Sequence, residues 1–165
     1  MLLPVALAAI VVTVTKIAFM GFGWGIARLD FTGMSGHAML AAAIYPVLAV
    51  AFVPGTSPRR EVATVMAAAV VVLVAISRIA VGAHSVSEVL SGGALGLLTA
   101  AVATRSVPRA GVKRRLSLAW LAPALVWLVL TLPAPPVMAS HDWIAGLATT
   151  LSGRDRPFTR ADLHR

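Results

Sequence analysis

Cysteine is absent from this chain, which excludes disulfides, thiolate metal sites and cysteine nucleophiles. Charge is scarce: 12% of the 165 residues are Asp, Glu, Lys or Arg, where a soluble domain carries about 25%. Acidic residues are the rarest, six against fourteen basic ones. Apolar residues fill the gap. At 59% hydrophobic, against roughly 45–50% ordinarily, the chain has more apolar surface than a small globule can bury. Lipid is the natural solvent for the excess. The net charge of +8 does not argue for nucleic acid, because the basic residues fall in short clusters between apolar runs. That placement suits membrane orientation and anionic headgroups. Low-complexity repeats and a second folded domain are also missing.

Five apolar runs are present, near Leu2–Met20, His37–Val53, Val62–Ile76 (continuing to Gly82), Val86–Val102 and Leu116–Leu132. Each suits a hydrocarbon core of roughly 30 Å at about 1.5 Å rise per residue. Each must be helical, since strands would leave backbone groups unpaired in lipid. The sequence therefore predicts an all-α integral membrane bundle of about five transmembrane helices, with residues 1–133 as one domain and 134–165 as a polar tail. The first run has no preceding Lys or Arg and no clear cleavage site, so it reads as a retained helix. Loops 54–61 and 103–115 hold Arg59, Arg60, Arg105, Arg109, Lys113, Arg114 and Arg115. The excess of positive charge places them in the cytoplasm, and residues 21–36 and 78–85 outside. In the tail, Trp143, Leu147 and Leu151 form one apolar stripe, which fits an interfacial helix or an ordinary packing helix. Gly92 and Gly96 form a small-xxx-small pair for helix packing.

Ionisable residues inside apolar runs are expensive and need a reason. Here they are Lys16, Arg78, His84 and Glu88, with His37 heading the second run. By the topology above, all fall near the outer face. His84 and Glu88 are four apart on one helix face, so the carboxylate can bond one ring nitrogen and leave the other as a nucleophile. Arg78 can hold two phosphate oxygens. Ser35, Gly36 and His37 start a helix, where free amides and the helix dipole favour an anion. His37 can protonate a leaving oxygen, and Lys16 adds positive charge. Together they suit a phosphoryl group attacked by histidine, needing no metal and no cofactor. Taken singly, each has a bland reading. Lys16 snorkels, His37 faces headgroups, Glu88 neutralises Arg78, and Arg28 and Asp30 are interfacial charges. A channel or transporter could also line a path with such residues, but convergence on one face favours a site.

These residues resemble the type 2 phosphatidic acid phosphatase superfamily of membrane phosphatases, which shares its site with vanadium haloperoxidases. The family's third motif is Ser-Arg, five residues, His, three residues, Asp. The chain has Ser77, Arg78, His84 and Glu88 at that spacing, with Glu as the acid. The second motif, Pro-Ser-Gly-His, is matched by Met34-Ser35-Gly36-His37. The first, Lys, six residues, Arg-Pro, is matched by Lys16 alone, with Gly23 at the arginine position. The resemblance spans residues 16–100. It implies that His84 forms a phosphohistidine, Glu88 orients it, His37 is the general acid, and Lys16, Arg78, Ser35 and Gly36 bind phosphate. Arg28 is the expected substitute for the missing first-motif arginine.

The implied activity is metal-independent hydrolysis of a lipid phosphate or pyrophosphate, with membrane lipids as surroundings. A bacterial inner membrane, with the site facing the periplasm or outside, is the expected location. The alternatives are phosphotransfer to another hydroxyl and a non-catalytic lipid-binding protein.

Overall fold

A long apolar segment in lipid can satisfy its backbone only within itself, as a helix. The computed structural model, which describes residues 2–53, 58–105 and 136–165, is helical through each apolar run it covers. Helix α1 is Leu2–Phe22, α2 Gly36–Phe52, α3 Pro58–Ala80 and α4 Val86–Arg105. After them come α5, Pro136–Ser152, and the single turn α6, Arg160–Leu163. Among the described residues there is no strand, only one isolated bridge between Ile26 and Phe31. The fold is all-α. The fifth predicted run, 116–132, lies outside the described residues. Helix α3 starts four residues earlier than its apolar run, with Pro58 opening it and Glu61 in its first turn, both favourable at a helix start.

Three of the described helices, α1, α3 and α4, are long and apolar enough to cross a membrane. Their outward side chains bear this out. Leu3, Val14, Val65, Leu73, Leu90 and Leu98 are all exposed, and a soluble monomer rarely presents so extensive an apolar surface. The chain is a membrane protein. Helix α2 is shorter, contains Pro46, and is the central helix, packed against α3, α4 and α1.

Between helices in lipid, close van der Waals approach does the work that hydrophobic burial does in water. The α2–α4 contact is built accordingly. A Cβ on Gly92 would lie 2.3 Å from the Ser35 carbonyl oxygen, and one on Gly96 would lie 2.2 Å from that of Met39. The small Ala41, Ala42 and Ala43 of α2 are buried as well. The glycine pair read as packing does pack.

Helix α5 runs beside α1. Ala148 is fully buried against Phe19 and Met20, with Ile144 and Ala145 alongside, and Gly21 sits over the Ala148 carbonyl and Ser152. The packing face is thus Ile144, Ala145 and Ala148. The stripe singled out in the sequence points outward, with Trp143, Leu147 and Leu151 all exposed.

Candidate active site

The last turns of α1 and α3 and the first turns of α2 and α4 meet at one end of the bundle, and the interrupting polar residues lie there. Helix α3 ends through Gly82, whose φ of +66° is a conformation glycine adopts without strain. The amides of Ala83 and His84 then bond the Arg78 carbonyl at 3.1 and 3.2 Å. This turn sets His84 two residues ahead of α4.

The start of α4 is a capping box. Ser85 Oγ accepts from the Glu88 amide at 3.4 Å, and the Ser85 amide donates to Glu88 Oε2 at 3.2 Å. The Glu88 side chain therefore folds back over the turn, and its Oε2 also lies 2.8 Å from His84 Nδ1. A carboxylate accepts only, so Nδ1 carries a proton, and in the neutral imidazole Nε2 is left with its lone pair. The other oxygen, Oε1, accepts from the Thr32 amide at 2.7 Å and from Thr32 Oγ1 at 2.5 Å. Glu88 is 0% exposed, and a charge so buried needs hydrogen bonds and a counter-charge.

That counter-charge is Arg160, whose Nη2 lies 3.0 and 2.9 Å from the two Glu88 oxygens. Its Nη1 bonds the carbonyl oxygen and the carboxylate of Asp30. Arg78, the partner suggested by sequence, sits instead with its Nε 3.3 Å from Ser77 Oγ. His164 Nε2 is 2.9 Å from the other Asp30 oxygen. The hydrogen bond from His164, followed by those from Arg160, holds the Asp30 carboxyl below its usual range.

Lys16 and His84 share a cavity of about 260 Å³ with Thr32, Gly33, His141 and Arg160, floored by Phe19 and Met20 and walled by Pro157 and Phe158. Sites that enclose a whole drug-sized ligand run to roughly 300–1,000 Å³. This one is smaller. Arg78, His84 and Lys16 all lie within electrostatic range of His37, which places the second-motif histidine at the same end of the bundle.

Of the expected site residues, Lys16 and His84 line this cavity, whereas Arg78, Ser35, Gly36, His37, Glu88 and Arg28 do not. Ser35 is 0% exposed. Its hydroxyl caps α2 by accepting from the Ala38 amide at 3.4 Å, and its own amide donates to the Glu88 carbonyl at 2.9 Å. Ser35 joins α2 to α4, and its hydroxyl keeps an O–H that these bonds do not use. Gly36 and His37 follow it, and helix geometry leaves their amides without an intrahelical acceptor. Arg28 is exposed in a short 3-10 turn and does not line the cavity. Sequence reading missed Thr32, His141 and Arg160. A local signal did exist for the Glu88 fold-back, since Ser85-x-x-Glu88 has the capping-box spacing.

Lys16 and Arg160 set positive charge around the cavity that His84 lines, and the Glu88 carboxylate orients the His84 imidazole through Nδ1. Comparison with known proteins adds a family. The model of the PAP2 superfamily matches residues 1–111. An uncharacterized 22.5 kDa protein in the cps region of Klebsiella pneumoniae is 33% identical over 94% of this chain and 76% of that protein. Phosphatidylglycerophosphatase B of Bacillus subtilis (strain 168) is 44% identical over 72 residues, covering 42% of this chain and 36% of that protein. No solved structure matches.

Proposed function

Because the chain belongs to the PAP2 superfamily, we propose that it is a membrane phosphatase that hydrolyses lipid phosphates through a phosphohistidine on His84. The carrying observation is the 2.8 Å contact between His84 Nδ1 and the buried Glu88 carboxylate, beside a cavity that Lys16 also lines.

The reaction has two displacements. His84 Nε2 attacks phosphorus, and the bond to the lipid oxygen breaks with its electron pair leaving on that oxygen. His37 supplies the proton. Water then attacks the phosphohistidine and gives its proton back to His37, and the P–N electron pair returns to Nε2. Lys16, Arg78 and the amides of Gly36 and His37 stabilise the non-bridging oxygens as charge builds on them. The reacting groups all come from residues 1–133. A pyrophosphate substrate follows the same path with phosphate or a lipid phosphate as leaving group. The site lies at the outer membrane–water interface of a bacterial inner membrane, and substrate enters sideways from the leaflet.

The test is phosphate release in detergent with EDTA present, for wild type and His84→Ala. The substrates are phosphatidylglycerophosphate (named for the Bacillus relative), phosphatidic acid and an isoprenyl pyrophosphate. Release by wild type and a drop of about 10³-fold or more in His84→Ala is expected. Full activity in folded His84→Ala would sink the assignment. Product appearing only with an added acceptor alcohol would turn it to phosphotransfer.

A further inference from the structure

The cavity has a wall that comes from none of the motif-bearing helices. We infer that Arg160, brought in by the C-terminal tail, is a positioning residue for the phosphatase reaction proposed above: its guanidinium holds the Glu88 carboxylate aimed at His84.

The geometry makes Arg160 the specific partner of that carboxylate. Glu88 has no exposed surface. Among the described residues, Arg160 is the Lys or Arg ion-paired with it. One guanidinium nitrogen spans both Glu88 oxygens at 3.0 and 2.9 Å, so the carboxylate cannot rotate away from His84 without breaking those bonds. The second nitrogen is tied to Asp30, and Thr32, two residues on, bonds Glu88 directly. Arg160 therefore joins the α1–α2 loop to the first turn of α4 across the histidine.

The tail is built to deliver it. The Phe158 amide donates to the Met20 carbonyl at 2.7 Å. Leu163 packs in the Phe19, Met20 and Ala148 cluster. Thr159 and Asp162 form a capping box that opens α6 at Arg160, and Arg156 pairs with Asp162 at 3.1 Å. The Phe158 ring stands over Gly23, where a Cβ would meet it at 3.2 Å. Gly23 is the position at which the sequence lacks the first-motif arginine. A side chain there would displace Phe158, and with it the approach of Arg160. The absent cation and the tail's arrival are two sides of one arrangement.

The test uses full-length protein in detergent, with Arg160→Met and Arg160→Lys. Arg160→Met should lower kcat by about 10- to 100-fold, the usual effect of losing a partner that orients a functional histidine, with KM within about twofold. Guanidinium ion at sub-denaturing concentration should restore part of the loss in Arg160→Met and none in Glu88→Gln, because the arginine side chain is 35% exposed and its place reachable from solvent. Arg160→Lys keeps the charge without the two-oxygen span and should fall between. Nitrogen-15 histidine NMR, assigned with His84→Asn, should show the His84 Nδ1–H resonance of wild type shifted or broadened in Arg160→Met. Unchanged kcat with an unchanged Nδ1–H signal would overturn the inference. So would a loss confined to KM, or one that neither guanidinium nor lysine relieves. If wild type releases no phosphate from any lipid, the phosphatase reading fails, and the NMR comparison still decides the role of Arg160.

Discussion

The motif-bearing helix ends and the C-terminal tail form opposite walls of one cavity, and they hold their polar groups differently. On the helix side, Glu88 and Ser35 have no exposed surface and are fixed by backbone amides and capping bonds. On the tail side, Arg156 is 60% exposed and Arg160 and Asp30 are each more than a third exposed. The first wall is covalently continuous with the packed α2–α4 seam. The second is held by ion pairs and one small apolar cluster. Buried, capped groups keep their geometry through many turnovers. Half-exposed ion pairs add little to stability, about 0–1 kcal/mol each, so the tail's value lies in where it puts a charge. The family match ends at residue 111, so the tail is the part of the site that lies outside it.

Changes on the helix side should have the largest effects. Glu88→Gln would turn an acceptor-only group into one that also donates, favouring the wrong His84 tautomer and leaving Arg160 without its partner. Phosphate release should fall about 10²–10⁴-fold, while His84 and Lys16 remain in place. Activity within a few-fold of wild type would show that the carboxylate does not orient the histidine.

Next come the seams. Gly92→Ala drives a Cβ into the Ser35 carbonyl, whereas nothing lies within 4 Å of a Cβ on Gly93. Gly92→Ala should therefore cost about 1–3 kcal/mol and misplace the second motif. Gly93→Ala should be neutral or gain up to about 1 kcal/mol from helix propensity. Thermal melts in detergent compare the two, and equal melting points would contradict the close approach.

Acid should loosen the tail. Asp30, bonded by His164 and Arg160, sits below its usual range. Asp162, held by the Arg156 hydrogen bond first and by Thr159 next, sits well below it. Groups depressed in the folded state stabilise it at pH above their ordinary values near 4, and that contribution disappears as pH falls through the lowered ones. Tail docking should be intact at neutral pH and weaken only below about pH 4, seen as new protease cleavage after residue 152. Cleavage that instead rises toward alkaline pH would contradict this sign.

The smallest effect should come from Arg28→Ala. Arg28 is exposed and lines no part of the cavity, so kcat and KM should both stay within about twofold of wild type. A loss rivalling that of Arg160→Met would return the missing cation to Arg28.

Sequence carried much of the helix side because its information is local. Apolar run length dictated α1 to α4. The four-residue spacing of His84 and Glu88 pointed to their contact, although His84 lies in the turn before α4 and Glu88 folds back to meet it, and Gly92 and Gly96 marked the seam. The capping role of Ser35 was not legible, because a helix-capping serine and a phosphate-binding serine look alike before the neighbouring helix is known. Arg160 was invisible for a different reason. It lies 72 residues from Glu88, and no periodicity or spacing links an arginine in a polar tail to a carboxylate at the head of a helix. Only the docking of Phe158 and Leu163 on α1 brings them together.

The most direct test of the account is to trap the enzyme in mid-reaction. Wild type and His84→Asn would be mixed with a lipid phosphate carrying phosphorus-32 and quenched within one turnover. The account predicts protein-bound label on wild type, stable to alkali and released by acid as a phosphoramidate is, and none on His84→Asn. Turnover by wild type with no labelled protein, or the same label on His84→Asn, would contradict a histidine nucleophile at position 84.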